Sequence, residues 1–366
     1  MEFTIEKNAF LKALGLVCNV ASLKANTLPI LSNILIETEG KEKISLVGTD
    51  LEVGICTKSK AGVKEEGSIT VPARKIFDIV RELPEGEVAV TVGKNHAVNI
   101  KTGKSLFKIM GLQKDDYPKL PAWKEENAYE LEQAVLKEGL SLTVFAVSSD
   151  ETRYVLNGLL LSIKEGKIRF VATDGRRLAI AERAFEGKQK KPYEAIIPTK
   201  AINEICKITD WEGNVKIIPS QNQVVFDFGE TFLISRLIEG TFPNYEQVLP
   251  KEEKTKSTLS REAFLQSVRR ASLLTSVEAP AVKLDFVKGK VLLSSRAPNL
   301  GEAKEELDAE TSGKEVSIGF NPHYLADALK NLDCETVQMS ITEPDKPGLM
   351  TGKEGYRYVI MPMQLN

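Results

Sequence analysis

The chain has 366 residues, too many for one typical core and about right for two or three domains. With 42% hydrophobic and 27% charged residues it has the composition of a globular protein, and no run approaches the ~20 apolar residues that a bilayer span needs. A net charge of -2 argues against a surface that coats polyanions throughout, and leaves room only for a locally basic face.

The first predicted element, FTIEKNAFLKALGLV, reads as a strand running into a helix whose apolar stripe is Phe10, Leu14 and Val17. A hairpin with a glycine turn follows, ILIETEGKEKISLVGTD. Next is a second strand and helix, ITVPARKIFDIVREL, with Ile76, Val80 and Leu83 on one face. Pro72 stands just before that helix, where a missing N–H costs little. A strand pair, VNIKTGKSLFKIMGL, and the pair Tyr117-Pro118 end the series.

The series then returns twice. YELEQAVLKEGLSLTVFAV, LLLSIKEGKIRFVATD, AIIPTKAINEICKI and VVFDFGETFLISRLI repeat it, ending on Phe242-Pro243; STLSREAFLQSVRRASLL, KLDFVKGKVLLSS, SIGFNPHYLADALKNL and YRYVIMPMQL repeat it again. Ala9, Ala134 and Ala263 correspond at spacings of 125 and 129, and Thr49 and Thr173 at 124. Pro72 and Pro198 lie 126 apart, with Asn321 a further 123 on. Chance rarely preserves both order and spacing, so the chain reads as three tandem copies of one unit. A weaker echo, Thr4 and Thr70 at a spacing of 66, divides each unit into two strand-helix-strand halves. The expected fold class is α+β: three similar domains of antiparallel sheet with two helices each, at 1–122, 128–249 and 250–366. The joins, WKEENA from Trp123 and KEEKTKST from Lys251, are charged runs without apolar periodicity and are expected to be linkers.

Chemistry-bearing residues are sparse. Cys18, Cys56, Cys206 and Cys334 form no CxxC pair and read as buried thiols rather than a zinc site. His96 and His323 sit beside no nucleophile motif, and no GxxxxGK[ST] loop is present, so no nucleotide hydrolysis is expected. Asp50 and Asp174, in two matching TD turns, are the candidate carboxylates of a hydrolase or transferase; their repetition favours a structural turn. Lys12, Arg74, Arg81, Lys137, Lys200, Lys207, Arg269, Arg270 and Lys330 put at least one cation on every helix. Two readings stand: ordinary solvated faces, or a mildly basic helical surface that meets phosphates without reading bases.

The ordered motifs TLPILSNILIE, GTDLEVGI, VPARKIFDIVRELPEG, RYVLNGLLL, VATDGRRLA, TFPNYEQVLP and the terminal VIMPMQL closely resemble the bacterial sliding clamps, the beta subunits of the replicative DNA polymerase, from Phe3 to Leu365. The resemblance implies a head-to-tail homodimeric ring on duplex DNA, with helices inside and sheets outside. It implies an accessory subunit of a polymerase rather than an enzyme, in the cytoplasm, with no cofactor and no metal. The implied partners are duplex DNA, the polymerase catalytic subunit, a clamp loader, and other polymerases and repair proteins that carry clamp-binding peptides; no membrane is implied. The acidic residues of MEFTIEKNAF, where a signal peptide would be basic and then apolar, agree with a cytoplasmic location.

Residue by residue, the resemblance implies DNA contact at Lys24, Arg74, Tyr154 and Lys200. The subunit interface would bring Leu273 and Leu274 of one copy to Ile79, Leu83, Leu106 and Phe107 of the other. A peptide pocket would use Leu156, Thr173, Gly175, Arg176, Arg177 and Leu178, with Pro243 and Val248, and then Val359, Ile360, Met361, Pro362, Met363 and Leu365 at the C-terminus. Met and Leu walls suit partners of differing sequence, and Arg177 is expected to orient a peptide polar group or carboxylate. Read without the resemblance, the interface residues are equally ordinary core, VIMPMQL a core-facing strand, and Tyr154 half-buried packing. The chain departs from the family at Arg176, where histidine is common, at Gln247, where a basic residue is frequent, and in Asn366 beyond the usual last leucine. Asp150 and Val155 stand where relatives have a polar and an aromatic DNA contact, so weaker contact is expected there.

Overall fold

The structure, a computed structural model, describes residues 1–21, 28–123, 125–185, 191–208, 211–276, 278–298 and 300–364. They form two compact units, Met1–Ala134 with Lys200–Leu237, and Val135–Thr199 with Ile238–Asn366.

The first unit contains an eight-stranded sheet in the order Tyr129–Glu132, Asn214–Pro219, Gln223–Asp227, Thr231–Arg236, Val53–Lys60, Lys43–Thr49, Asn33–Glu39 and Ser68–Pro72. All pairs are antiparallel, and its middle seam sets Leu233 opposite Ile55. That seam joins strands of the first and second repeats, which is why the compact unit takes in part of both. A five-stranded sheet runs Gly62–Glu65, Glu2–Glu6, Glu87–Val92, Ala97–Thr102 and Ser105–Met110.

Helices α1 (Lys7–Cys18) and α2 (Ala73–Glu82) pack beside each other in this unit. The α1 stripe of Phe10, Leu14 and Val17 is fully buried, and Phe3 meets Phe10 edge-on at 6.1 Å. Each such side chain contributes about 1.5–3 kcal/mol by leaving water. The helix can approach its sheet because residue 48 is glycine: a Cβ there would fall 2.2 Å from the Val17 carbonyl oxygen.

The second unit repeats the plan. Its nine-stranded sheet runs Tyr193–Pro198, Gly158–Lys164, Lys167–Thr173, Arg177–Ala184, Tyr356–Ile360, Gly348–Thr351, Thr336–Ile341, Thr255–Ser260 and Glu310–Gly313. The seam between second and third repeats sets Leu178 opposite Val359. A four-stranded sheet runs Gly301–Asp308, Lys290–Ala297, Val282–Val287 and Val316–Phe320.

The remaining helices are α3 (Gln133–Ser141), α4 (Thr199–Ile208), α5 (Arg261–Ser272) and α6 (Pro322–Asn331). Side chains cap several N-termini: Glu6 accepts from the Ala9 N–H at 2.8 Å, Ser260 from that of Ala263 at 3.4 Å, and Asn321 from that of His323 at 2.9 Å. The stripe expected on α2 is buried as well, Ile76 included, and α4, α5 and α6 bury matching apolar faces with Ile205, Val268 and Leu329.

Three local expectations need correction. The run from Lys251 to Thr258 is a linker only in its first half, because the strand Thr255–Ser260 starts inside it with Thr255 and Ser257 buried. Trp123, expected in a solvated join, packs its ring 4.5 Å from Phe232. Cys206 is exposed on α4 rather than buried, since it falls beside the stripe of Ile202 and Ile205 and not within it.

Candidate functional site

At the seam of the second unit the chain turns sharply between Thr173 and Arg177. The Asp174 carboxylate accepts from the N–H groups of Arg176 at 2.8 Å and Arg177 at 3.0 Å. The Thr173 hydroxyl donates to the Arg177 carbonyl at 2.6 Å and accepts from the Gly175 N–H at 3.0 Å. Gly175 supplies the positive φ of 86° that the turn requires. Beside this turn lies an open hollow of about 160 Å³.

Ten of the expected pocket residues line it together: Leu156, Thr173, Gly175, Arg176, Arg177, Leu178, Pro243, Val248, Val359 and Met361. The period of two explains which tail residues take part. Val359 and Met361 face the hollow, while Ile360 points to the other side of the sheet and is fully buried. Pro362 and Met363 do not line it, because the Met363 N–H is drawn to the Gly319 carbonyl at 2.8 Å. Leu365 lies outside the described residues. Asn244 and Tyr245 line the hollow and were missed, although both fall inside the TFPNYEQVLP motif. Beneath it Leu160, Val171, Ile180 and Ile196 form a buried cluster with Leu178 and Val359, so the floor is fixed while Val248 and Met361 stay exposed.

Arg177 does not have the free guanidinium expected of it. Its side chain is only 10% exposed. Nε donates to Asp174 at 3.0 Å, Nη1 to Asp327 at 2.6 Å and Nη2 to the Phe145 carbonyl at 2.6 Å. The guanidinium also lies over the Tyr324 ring at 4.5 Å. Arg177 therefore ties the pocket strand to α6 and to the 144–146 turn, and of the two arginines that line the hollow Arg176 is the exposed one; Arg153, outside the lining, reaches over Gly175 and donates to the Asp174 carbonyl at 3.4 Å.

The first unit contains a second copy of this turn. Asp50 accepts from Glu52 and Val53 at 3.0 and 2.8 Å, the Thr49 hydroxyl donates to the Val53 carbonyl, and Leu51 takes a φ of 76° where the other copy has glycine. The next strand closes both frames alike: the Met361 N–H donates to the Arg176 carbonyl and the Arg236 N–H to the Glu52 carbonyl, each at 2.9 Å. The hollow beside this copy is about 120 Å³, and Leu120 fills part of it over Gly54. Both candidate catalytic carboxylates are thus turn-builders. No group of three or more histidine, cysteine or acidic side chains that could hold a metal occurs among the described residues.

The expected DNA contacts stand in different settings. Arg74 is exposed in the first turn of α2, with Nε 3.6 Å from Asp78. The Tyr154 ring is exposed rather than half-buried. Lys200 is paired with Asp50, whose side chain is 6% exposed, so this lysine is held in the structure of the first unit. Lys24 lies outside the described residues. Asp150 caps the 3₁₀ turn Glu151–Leu156 by accepting from the Thr152 N–H at 3.0 Å, and Arg153 stands 3.7 Å away to offset its charge.

Two sheet edges are open, each with exposed apolar side chains on it or beside it. Ser105–Met110 ends the five-stranded sheet with Leu106 65% exposed and Phe107 also exposed. Gly301–Asp308 ends the four-stranded sheet, and α5 packs against it with Leu273, just past the helix, 76% exposed. Leu274 and Ile79 are partly exposed. Leu83 is core instead, because it caps α2 through its N–H to the Ile79 carbonyl and turns its side chain inward.

Sequence families described as the N-terminal, central and C-terminal domains of the DNA polymerase III beta subunit match residues 1–121, 130–244 and 246–364. The Beta sliding clamp of Chlamydia muridarum is 32% identical over 366 residues and that of Pseudomonas putida 34% over 369, each match covering 100% of both chains. Among solved structures, the Pseudomonas aeruginosa DnaN sliding clamp bound to griselimycin superposes with a TM-score of 0.95 at 33% identity, covering 100% of both chains. The Bacillus subtilis DNA polymerase sliding clamp does so with a TM-score of 0.95 at 30% identity and the same coverage. With its three family domains in order and full-length relatives on both counts, this chain belongs to the DNA polymerase III beta subunit family, the beta sliding clamps.

Proposed function

We propose that two copies of this chain close head-to-tail around duplex DNA and act as a processivity factor that tethers the replicative polymerase. Its three clamp domains are assigned to 1–122, 128–249 and 250–366. The observation that carries the reading is the pair of open edges. The Ser105–Met110 edge exposes Leu106 and Phe107 among Lys101, Lys104 and Lys108; the Gly301–Asp308 edge, near Leu273, exposes Glu302, Glu306 and Asp308. The first edge is apolar and basic; the second is mainly acidic despite Lys304, with the apolar Leu273 beside it, so an edge of one copy suits the other edge of the next. Such a contact is heterologous and forms a closed ring only at a fixed rotation. Ile79, Leu106, Phe107, Leu273 and Leu274 are assigned to it.

Dissociation from DNA then requires opening an interface, and weak phosphate contacts suffice. Arg74, Tyr154, Lys200 and Lys24 are assigned to that contact, with Lys200 subordinate because of Asp50. The hollow of the second unit takes an apolar linear peptide of the polymerase and raises the polymerase's effective concentration at the primer end. The same hollow serves a clamp loader and other polymerases and repair proteins in turn. The chain itself is an accessory subunit and no enzyme, working in the cytoplasm; no described helix is long and apolar enough to cross a membrane.

Loading the protein onto nicked circular DNA and then cutting the circle tests the reading. The expected result is stable retention on the circle and rapid loss on linearisation. Equal retention on both forms overturns the tether and favours a peptide-binding scaffold.

A further inference from the structure

We propose that Arg176 makes the hollow select peptides that carry a carboxylate beside their apolar anchor. The inference rests on reading the hollow as a peptide site. Of the residues that line it, only Arg176 and Arg177 are charged. Arg177 commits each of its three guanidinium nitrogens, to Asp174, Asp327 and the Phe145 carbonyl, and its side chain is only 10% exposed. The Thr173 hydroxyl is spent on the Arg177 carbonyl. Arg176 is exposed, and its guanidinium has no partner among the described residues.

Its backbone, by contrast, is held at both ends. The N–H donates to Asp174 at 2.8 Å and the carbonyl accepts from Met361 at 2.9 Å. The cation is therefore mounted on a rigid base at the mouth, with its planar fork free. A peptide acid reaching the rim meets a bidentate donor, whereas a peptide cation finds no carboxylate on the lining to pair with.

The other copy of the turn shows that this arginine is not needed to build the loop. Glu52 holds the corresponding place with the same backbone bonds and is exposed in the same way. The position is thus free to set charge preference, and Arg176→Glu is expected to fold as the wild-type chain does.

The test selects from a random linear-peptide library against the full wild-type chain, Arg176→Glu, and Val248→Trp, which fills the hollow. Affinities of the best wild-type peptide and of its Asp→Asn and Asp→Lys forms are then measured by fluorescence anisotropy. Wild type is expected to enrich acidic residues at one offset from the apolar anchor and to bind the Asp form about two- to five-fold tighter than the Asn form, a margin that salt removes. Arg176→Glu is expected to enrich basic residues at that offset while keeping the apolar anchor. The same charge preference in both chains, or none in wild type, overturns the role of Arg176 and leaves the pocket standing. Loss of every peptide in Arg176→Glu, neutral forms included, also overturns it, since Arg176 would then be structural. If no peptide binds wild type, or Val248→Trp binds them equally, the peptide site itself falls.

Discussion

Asp50 and Asp174 occupy the same place in two copies of one turn, and each carboxylate accepts from the N–H groups two and three residues further on. The copies differ in what neutralises the acid. Asp50 pairs with Lys200 in the first turn of α4, while Asp174 pairs with Arg177, which reaches on to Asp327 of α6. Both acids are committed to backbone and to a cation, which is the state of a structural carboxylate rather than of a general base. Asp50→Ala and Asp174→Ala are each expected to cost about 1–3 kcal/mol by leaving turn N–H groups unpaired. Urea unfolding of the two variants checks this, and an unchanged midpoint in both would remove the turn-building role.

Arg177 makes a sharper case. Replacing it strands the Asp174 carboxylate and opens the link to α6. Arg177→Ala is expected to lose about 3 kcal/mol, near the lower end for breaking a buried pair, because Asp327 is half exposed. Arg177→Lys is expected to recover little of this, since an ammonium cannot serve two carboxylates and a carbonyl in one plane. Full recovery by lysine, measured as unfolding free energy, would mean that charge alone matters there.

Much of this was legible in the sequence because a threefold repeat exposes its own frame. The apolar stripes gave the helices, and matched threonines and prolines gave the order of elements. What was not legible depended on pairing across long stretches of chain. Nothing local says that residues 231–235 pair with residues 53–57, so the compact units cut across the repeats. Cys206 was misjudged because one helical position moves a side chain from stripe to flank; Leu83 was read correctly on the stripe, and only the interface role implied for it by the resemblance fails, since its side chain is core. The saturation of Arg177 was hidden for the same kind of reason: Asp327 lies 150 residues away.

Acid stability offers an independent check on the second unit. Glu138 of α3 accepts from Arg183 Nε at 2.7 Å and also pairs with Lys353, and the Arg183 bond above all holds its carboxyl down at about 2 against an ordinary 4.5. A carboxyl lowered in this way stabilises the fold fully above about pH 4.5 and gives that up as pH falls toward about 2. The group is partly solvated, so screening leaves on the order of 1 kcal/mol. Glu138→Gln is therefore expected to unfold earlier in urea than wild type at pH 7, with the gap narrowing as pH falls from about 4.5 toward about 2. A gap that stays constant across this range would assign the loss to packing instead.

The ring interface predicts a change of mass without a change of fold. Leu273 is a large apolar side chain left open on the isolated chain, and Leu274 beside it is partly open. Truncating both to alanine removes surface that the proposed interface would bury, so Leu273→Ala with Leu274→Ala is expected to sediment as a monomer with unaltered far-UV circular dichroism. An unchanged dimer would remove these residues from the interface.

A topological tether also predicts an unusual response to salt. A protein held by six to ten phosphate contacts loses about 10³ or more in affinity between roughly 50 and 200 mM salt. This chain, with a net charge of -2 and with Arg74 and Lys200 each near a carboxylate, is poorly equipped for that mode. In the proposed ring, residence time on a closed circle would be set by an interface that buries Leu106, Phe107 and Leu273, all exposed on the single chain, and in which that burial outweighs screened charges. The lifetime on closed circular DNA is therefore expected to change by only a few-fold over that salt range, while encounter with linear DNA weakens steeply. Equally steep losses on both forms would place the holding energy in phosphate contacts and not in closure.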